Sequence, residues 1–299
     1  MKTSLTVSKV LFMTGLAASN LNAYAEDKFR VCEDPVNPPY STKELTGYEN
    51  KIAALFAGQL GQELEYTWLP ERIGFIRNTL KAENEDGKGF KCDVVMGVPA
   101  GYDLTETTKP YFHSTYVLLI ARNRGWDDIS DATQLTQLPP ARQEKLKIAM
   151  FDRGPGTTWL QKNGLLEQGV PYQTMTGDGE HNVAMQIDDD LRKGAIDMVI
   201  LWGPMAGFIQ SQSPAGSYIA IPMQSSPGMK FDFSIAMGVR QGDDARKKQL
   251  DELIERNLQE IQAIIGSYQI PLLPIPRLNR PKRMTMTSSS SDFMRVGQI

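Results

Sequence analysis

Asp152-Arg153-Gly154-Pro155-Gly156-Thr157-Thr158 is the stretch whose residue types come closest to a ligand-binding loop. An apolar run at 147–151 precedes it and a helical segment at 159–163 follows. A strand that runs through a short loop into a helix start turns several N–H groups toward one point, where the helix dipole favours an anion. Arg153 adds a planar fork that matches a carboxylate. A tight turn that needs Gly and Pro for shape alone accounts for the same residues equally well.

Other chemistry is absent by composition or by spacing. The histidines are His113 and His181, and the cysteines are Cys32 and Cys92. No H-x-x-x-H, H-E-x-x-H or C-x-x-C occurs, so metal-ligand spacing is missing. There is no G-x-S-x-G elbow, no phosphate-binding G-x-x-x-x-G-K-[ST], and no third glycine at dinucleotide-binding spacing after Gly154 and Gly156. Asp188-Asp189-Asp190 point to different sides of a helix and read as a solvated face. The expectation therefore moves from catalysis to binding, with no catalytic residue, metal or cofactor assigned. An enzymatic alternative would need Glu49 or Asp197 as its acid or base.

The chain has 299 residues, 35 acidic and 32 basic, for a net charge of −3, with 41% hydrophobic and 22% charged residues. That is a globular balance and excludes wholesale disorder. Lys2 and Lys9 flank an apolar run at 10–18, and Ala23-Tyr24-Ala25 supplies small residues at a cleavage site. Residues 1–25 thus read as a secretory signal. Ser19-Asn20 interrupts the run before it reaches membrane-spanning length, and no membrane span is expected. The segment 277–299 carries Arg277, Arg280, Lys282, Arg283 and Arg295 against Asp292, with serines at 288–291. It reads as a basic, Ser-rich disordered tail. Setting aside the signal (+2) and the tail (+4) leaves −9 for residues 26–276. An acidic body disfavours nucleic acid.

Export places Cys32 and Cys92 in an oxidising compartment. Each borders an apolar run, at 29–32 and 92–98. If these are neighbouring strands, a bridge between them is reasonable, and it is the reading favoured over two buried thiols.

Apolar spacing predicts alternating strands and helices. The first series has strands at 29–32, 64–69 and 92–98 and helices at 49–60 and 74–82. A strand at 116–121 leads out of it. The second series has strands at 147–151, 195–202 and 218–222 and helices at 159–163, 183–193 and 203–210. A strand at 231–239 and a long helix at 245–265 close the regular part. This order implies an α/β protein of two lobes, each a mainly parallel sheet flanked by helices, joined by a two-segment hinge. Lobe 1 would hold 26–120 plus 223–276, and lobe 2 would hold 121–222. Ligands of such folds bind outside the carboxyl ends of the strands. The expected interlobe cleft residues are Asp34, Tyr40, Glu49, Arg72, Gly97, Pro99, Tyr102, Arg153, Gly156, Thr157, Thr158 and Trp202.

The same segments resemble the type II periplasmic solute-binding proteins. The matching stretches are 32–41, Gly47-Tyr48-Glu49-Asn50, Lys91-Cys92-Asp93-Val94-Val95-Met96, Gly156-Thr157-Thr158 and Gly194-Ala195-Ile196-Asp197. Tyr66-Thr67-Trp68-Leu69-Pro70-Glu71-Arg72, the 74–80 segment and the 92–102 segment are similar to the dehydrogenase-associated members, the MxaJ/XoxJ proteins. That resemblance implies a periplasmic accessory role in maturing or activating a PQQ-dependent methanol dehydrogenase, with its cytochrome c as a further partner. It does not imply that this chain carries quinone or metal. Amino-acid receptors of this fold place an arginine after the third strand, whereas 101–108 here contains none. The alternatives are an importer receptor acting with an ABC permease, and an enzyme resembling the exported cyclohexadienyl dehydratases.

Overall fold

A computed structural model describes residues 28–152 and 154–276. The expected signal at 1–25, the expected tail at 277–299 and Arg153 lie outside the described residues. The first half comprises β1 (Lys28–Glu33), β2 (Val36–Asn37), β3 (Ser41–Thr42), α1 (Tyr48–Leu60), β4 (Glu63–Trp68), α2 (Phe75–Asn78) and β5 (Val94–Pro99). β6 (Glu106–Thr107) and the ten-residue β7 (Phe112–Ala121) follow. The second half comprises α3 (Pro140–Gln143), β8 (Ile148–Phe151), α4 (Pro155–Lys162), β9 (Gly169–Tyr172), α5 (Val183–Lys193), β10 (Met198–Trp202), α6 (Gly203–Ser211) and β11 (Tyr218–Pro222). β12 (Asp232–Val239) and α7 (Asp244–Gly266) bring the chain back against the first half.

The strand order is β4-β1-β5-β12-β7-β10-β8-β9. Three parallel strands stand at each end, β4-β1-β5 and β10-β8-β9, and the antiparallel β12 and β7 join them. β7 is the crossing element: Phe112–Thr115 pair with β12, and Val117–Ile120 pair with β10 and β11. This is the two-lobed α/β architecture expected from the sequence.

Hydrophobic burial explains each layer. Phe29 and Val31, Val94 and Met96, and Met237 and Val239 present one sheet face to Ile52 and Phe56 of α1 and to Leu250, Leu253, Ile254 and Ile261 of α7. In the second half the sheet is covered on both sides. Leu118, Ile148, Met198 and Ile200 pack on Trp126, Trp159 and Leu160, while Leu119, Ala149, Val199 and Leu201 pack on Ile187, Leu191 and Ile209. Alternate residues of a strand serve opposite faces, which is why these strands are apolar throughout. Asn182 caps α5 by accepting from Met185 N–H at 3.0 Å, and Gly194 ends it at φ 76°.

Besides the short β2, β3, β6 and α3, two segments depart from the sequence expectation. The helix expected at 74–82 lasts only for α2, because the backbone leaves helical geometry at Thr79 (φ −120°, ψ −85°), whose N–H and hydroxyl both donate to the Phe75 carbonyl, at 3.0 and 2.7 Å. β9 was not expected. Its Pro171 is tolerated because the strand lies at the sheet edge, where a missing donor costs little.

The disulfide expectation holds. Cys32 on β1 is bonded to Cys92 just before β5, with Cα atoms 5.6 Å apart and both side chains fully buried. Beside it, buried Asp93 accepts from Arg30 Nε at 3.0 Å and from Arg240 Nη2 at 3.0 Å, which ties β1 and β5 to the end of β12. His113 braces the central strands, with Nδ1 3.0 Å from Ser234 Oγ and Nε2 3.0 Å from Asp232 Oδ2. Among the described residues no helix is long and apolar enough to cross a membrane.

Candidate functional site

Four carboxyls gather where β1, α1 and the loop after β4 meet. Glu33 ends β1 and Asp34 follows it, Glu49 lies in the first turn of α1, and Glu71 lies beyond β4. Glu33 and Glu49 are each only 4% exposed, an unusual burial for acids. Each keeps its Oε1 buried with no N–H donor; the two carboxyls face each other, and Glu49 faces the buried Tyr48 hydroxyl. Burial, and then the charge of Glu49, push the Glu33 carboxyl well above the usual range. Burial pushes Glu49 up to about 8. Glu71 is exposed to solvent, yet the protein walls around it and the charge of Asp34 raise it to about 6.

Asp34 is the fixed member of the set. Its Oδ1 accepts from Val36 N–H at 2.8 Å and its Oδ2 from Glu71 N–H at 2.6 Å, so it anchors the β4 loop to the end of β1. Desolvation still raises its pKa against those two bonds. Gly97 on β5 is required by close approach. A Cβ there would lie 2.2 Å from Glu49 Oε1, so any side chain would displace that carboxyl. Tyr102 is half-buried, its hydroxyl raised by burial and by nearby Glu71. Pro99 is exposed at the end of β5.

Aromatic rings form the wall toward the second half. Tyr40 packs on Tyr48 with ring centroids 5.6 Å apart, and its hydroxyl is raised by burial and by Glu49, Glu71 and Tyr116. Tyr116 of β7 meets Trp202 at 5.5 Å and Phe233 at 6.3 Å, and Trp202 meets Phe233 at 5.9 Å. The expected residues Asp34, Tyr40, Glu49, Gly97, Tyr102 and Trp202 therefore belong to one neighbourhood.

The loop into α4 is used differently. The Thr157 hydroxyl donates to the Phe151 carbonyl, and that of Thr158 to the Gly154 carbonyl at 3.2 Å. A Cβ on Gly156 would come within 3.0 Å of Ile200, so this position packs α4 onto β10.

The two halves touch across the cleft. Asn182 Nδ2 donates to Asn37 Oδ1 at 3.2 Å and to the Pro38 carbonyl at 3.4 Å. A Cβ on Gly177 would lie 3.5 Å from Arg72, and one on Gly179 would lie 3.4 Å from Pro70. Arg72 is thus an exposed part of this latch. Asn182→Asp keeps the acceptor that caps α5 and removes the donor to the first half. The loss of a net bond of about 1 kcal/mol is expected to raise the open population about fivefold. Hydrogen exchange at 36–40 and 173–180 checks this: unchanged exchange would mean that Asn182 does not hold the halves together.

Glu33, Glu71, Tyr116, Phe233, Asn37 and Asn182 were not singled out in the sequence. The one available signal was the pair Glu33-Asp34 at the end of an otherwise apolar strand. Cavities of about 540 Å³ beside α7 and about 240 Å³ under β11 lie elsewhere. The first is lined by lysines and acids that can satisfy one another, and the second by core residues such as Trp159 and Phe231. Neither gathers the buried unpartnered acid oxygens of the pocket. Among the described residues no group of three His, Cys, Asp or Glu is placed to hold a metal ion.

No family model matches the chain. It is 29% identical over 259 residues to protein MoxJ of Methylorubrum extorquens AM1, covering 82% of each. It is 25% identical over 264 residues to protein MoxJ of Paracoccus denitrificans, covering 82% of this chain and 89% of that one. The crystal structure of periplasmic binding protein XoxJ from Methylobacterium extorquens AM1 superposes with a TM-score of 0.65 at 29% identity, covering 83% of this chain and 100% of that chain. The chain is similar to these MoxJ and XoxJ proteins over more than four-fifths of its length and carries the two-lobed type II periplasmic binding protein fold.

Proposed function

We propose that the chain is an exported, non-enzymatic accessory protein of the periplasm that serves a PQQ-dependent methanol dehydrogenase and its cytochrome c. In this reading residues 26–120 and 223–276 form one lobe and 121–222 the other. The cleft between them takes a segment of the dehydrogenase or a small factor. The observation that carries the reading is similarity to MoxJ and XoxJ along more than four-fifths of the chain. The buried carboxyls of Glu33 and Glu49 without N–H partners and the Asn182–Asn37 contact between the halves support it. Hinge strands shared by two lobes are the usual means of such closure.

Deleting the coding region for residues 26–276 tests the proposal. Methanol oxidation by the PQQ-dependent enzyme should fall and should return on complementation. Unchanged dehydrogenase activity in the deletion strain would sink it.

A further inference from the structure

We propose that the pocket bounded by Glu33, Glu49 and Glu71 holds one organic cation, a primary ammonium or a guanidinium, belonging to whatever the cleft takes. This deepens the function proposed above and rests on it for the source of the cation.

The charge count comes first. The groups that act on Glu33, Glu49 and Glu71 are one another, Asp34, Ser41, Asn37 and Tyr48, and none of these is basic. Nearby cations lie outside the acid group: Arg30 and Arg240 bind Asp93, Lys51 Nζ lies 4.6 Å over the Tyr268 ring, and exposed Arg72 lies against Gly177 and is not among the groups acting on Glu71. Buried carboxyls are normally paired, since an unpaired buried charge is costly. Here the ion pair lacks its positive half. Asn37 Nδ2 donates to Glu71 at 3.3 Å, which is a polar contact but no countercharge.

The unpartnered atoms come second. Oε1 of Glu33 and Oε1 of Glu49 are both buried and accept from no N–H donor, facing only each other and the Tyr48 hydroxyl, and the Glu49 oxygen presses on exposed Gly97 at the cleft end of β5. An N–H donor from a ligand would satisfy them, and bonds to a charged donor are about twice as strong as neutral ones. The rings of Tyr40, Tyr116, Trp202 and Phe233 supply π-faces alongside, which attract ammonium and guanidinium groups. Lys230 Nζ already sits 4.8 Å over the Phe233 ring, so this wall accepts a cation. A metal ion is the less suited occupant, given the absence of a three-ligand group among the described residues.

Burial favours the protonated form of these carboxyls, and a bound cation would displace those protons. The groups that face one another are Glu33 and Asp34 from the β1 end, Glu49 and Tyr48 from α1, Glu71 beyond β4, and Tyr40, Tyr66, Tyr102 and Tyr111 around them. Burial holds the phenols in their neutral form, with Tyr66 raised to about 12, so the carboxyls alone titrate. Binding of a cation should therefore tighten as pH rises.

Calorimetry on the mature protein at pH 6 and pH 8.5 tests this. The cationic probes are n-pentylamine and the blocked peptide acetyl-Ala-Lys-Ala-amide. The neutral controls are 1-pentanol and the norleucine peptide of the same length. Each cation should bind about tenfold more tightly than its control, the worth of one charge-assisted hydrogen bond. Kd should drop severalfold from pH 6 to pH 8.5. The double variant Glu33→Gln, Glu49→Gln should stay folded and lose that preference. A lysyl peptide that outbinds pentylamine marks a protein segment as the source, and equal binding marks a free amine. Controls that bind as well as cations, a pH-independent Kd, or an unchanged double variant would each overturn the proposal. Cation binding without any dehydrogenase phenotype would refute only the accessory role. A phenotype without cation binding would refute only the cation site.

Discussion

Glu49→Gln is expected to raise thermal stability above pH 7 and to flatten its pH dependence. Glu49 is pushed from 4.5 to about 8 by burial, so the folded chain holds a proton that the unfolded chain releases. A carboxyl of this kind stabilises the fold fully below its unfolded value. That contribution is lost as pH rises through the folded one, at ~1.4 kcal/mol per pH unit. The window therefore runs from 4.5 to about 8. Glutamine keeps the shape of the protonated acid and removes the titration. The gain at pH 8 should be on the order of 3 kcal/mol, or about 8 °C in Tm for a chain of this size. Scanning calorimetry from pH 5 to 9 should show the two Tm curves meeting near pH 5 and separating above it. Parallel curves would mean that Glu49 is not held protonated by its surroundings.

Removing the disulfide should have the second large effect. The Cys32–Cys92 bond closes a separation of 60 residues, for which the loop-entropy relation gives ~4 kcal/mol. The bond packs with Ile76 and Leu80, next along the chain to the carboxyl cluster. Cys32 precedes Glu33, and β5, which carries Gly97, begins two residues after Cys92. The Cys32→Ser, Cys92→Ser double variant should lose about 10 °C in Tm. It should also show faster amide exchange along β1 and β5 than along β8 and β10. A loss under 2 °C, or equal loosening of all four strands, would show that the bond does not fasten this end of the sheet.

Some of this was legible in the sequence because local chemistry and fold agree there. Helix α5 begins and ends as its spacing predicts, since Asn182 and Gly194 are explicit start and stop residues. The short, nearly continuous apolar runs of β5 and β10 match strands buried over most of their length. The cysteines could be paired because each borders such a strand. The pocket was less legible. Glu33 looks like the polar end of a strand, and only the return of α1 and the β4 loop buries it against Glu49. Tyr116 and Phe233 meet Trp202 only because β7 lies between β10 and β12 in the sheet. In the other direction, Thr157 and Thr158 have the residue types of an anion loop, but their hydroxyls bond to backbone carbonyls six and four residues earlier in the chain. Which of a hydroxyl's partners wins is decided by turn geometry, and composition does not record it.

Direct association with the dehydrogenase tests the central claim most sharply. The mature protein and the PQQ-dependent methanol dehydrogenase of the same organism should be mixed at pH 8, followed by size-exclusion chromatography with light scattering. The account predicts a complex heavier than either protein, and a smaller share of complex with the Glu33→Gln, Glu49→Gln variant. Separate elution of two unchanged species, with dehydrogenase activity indifferent to the added protein, would contradict it.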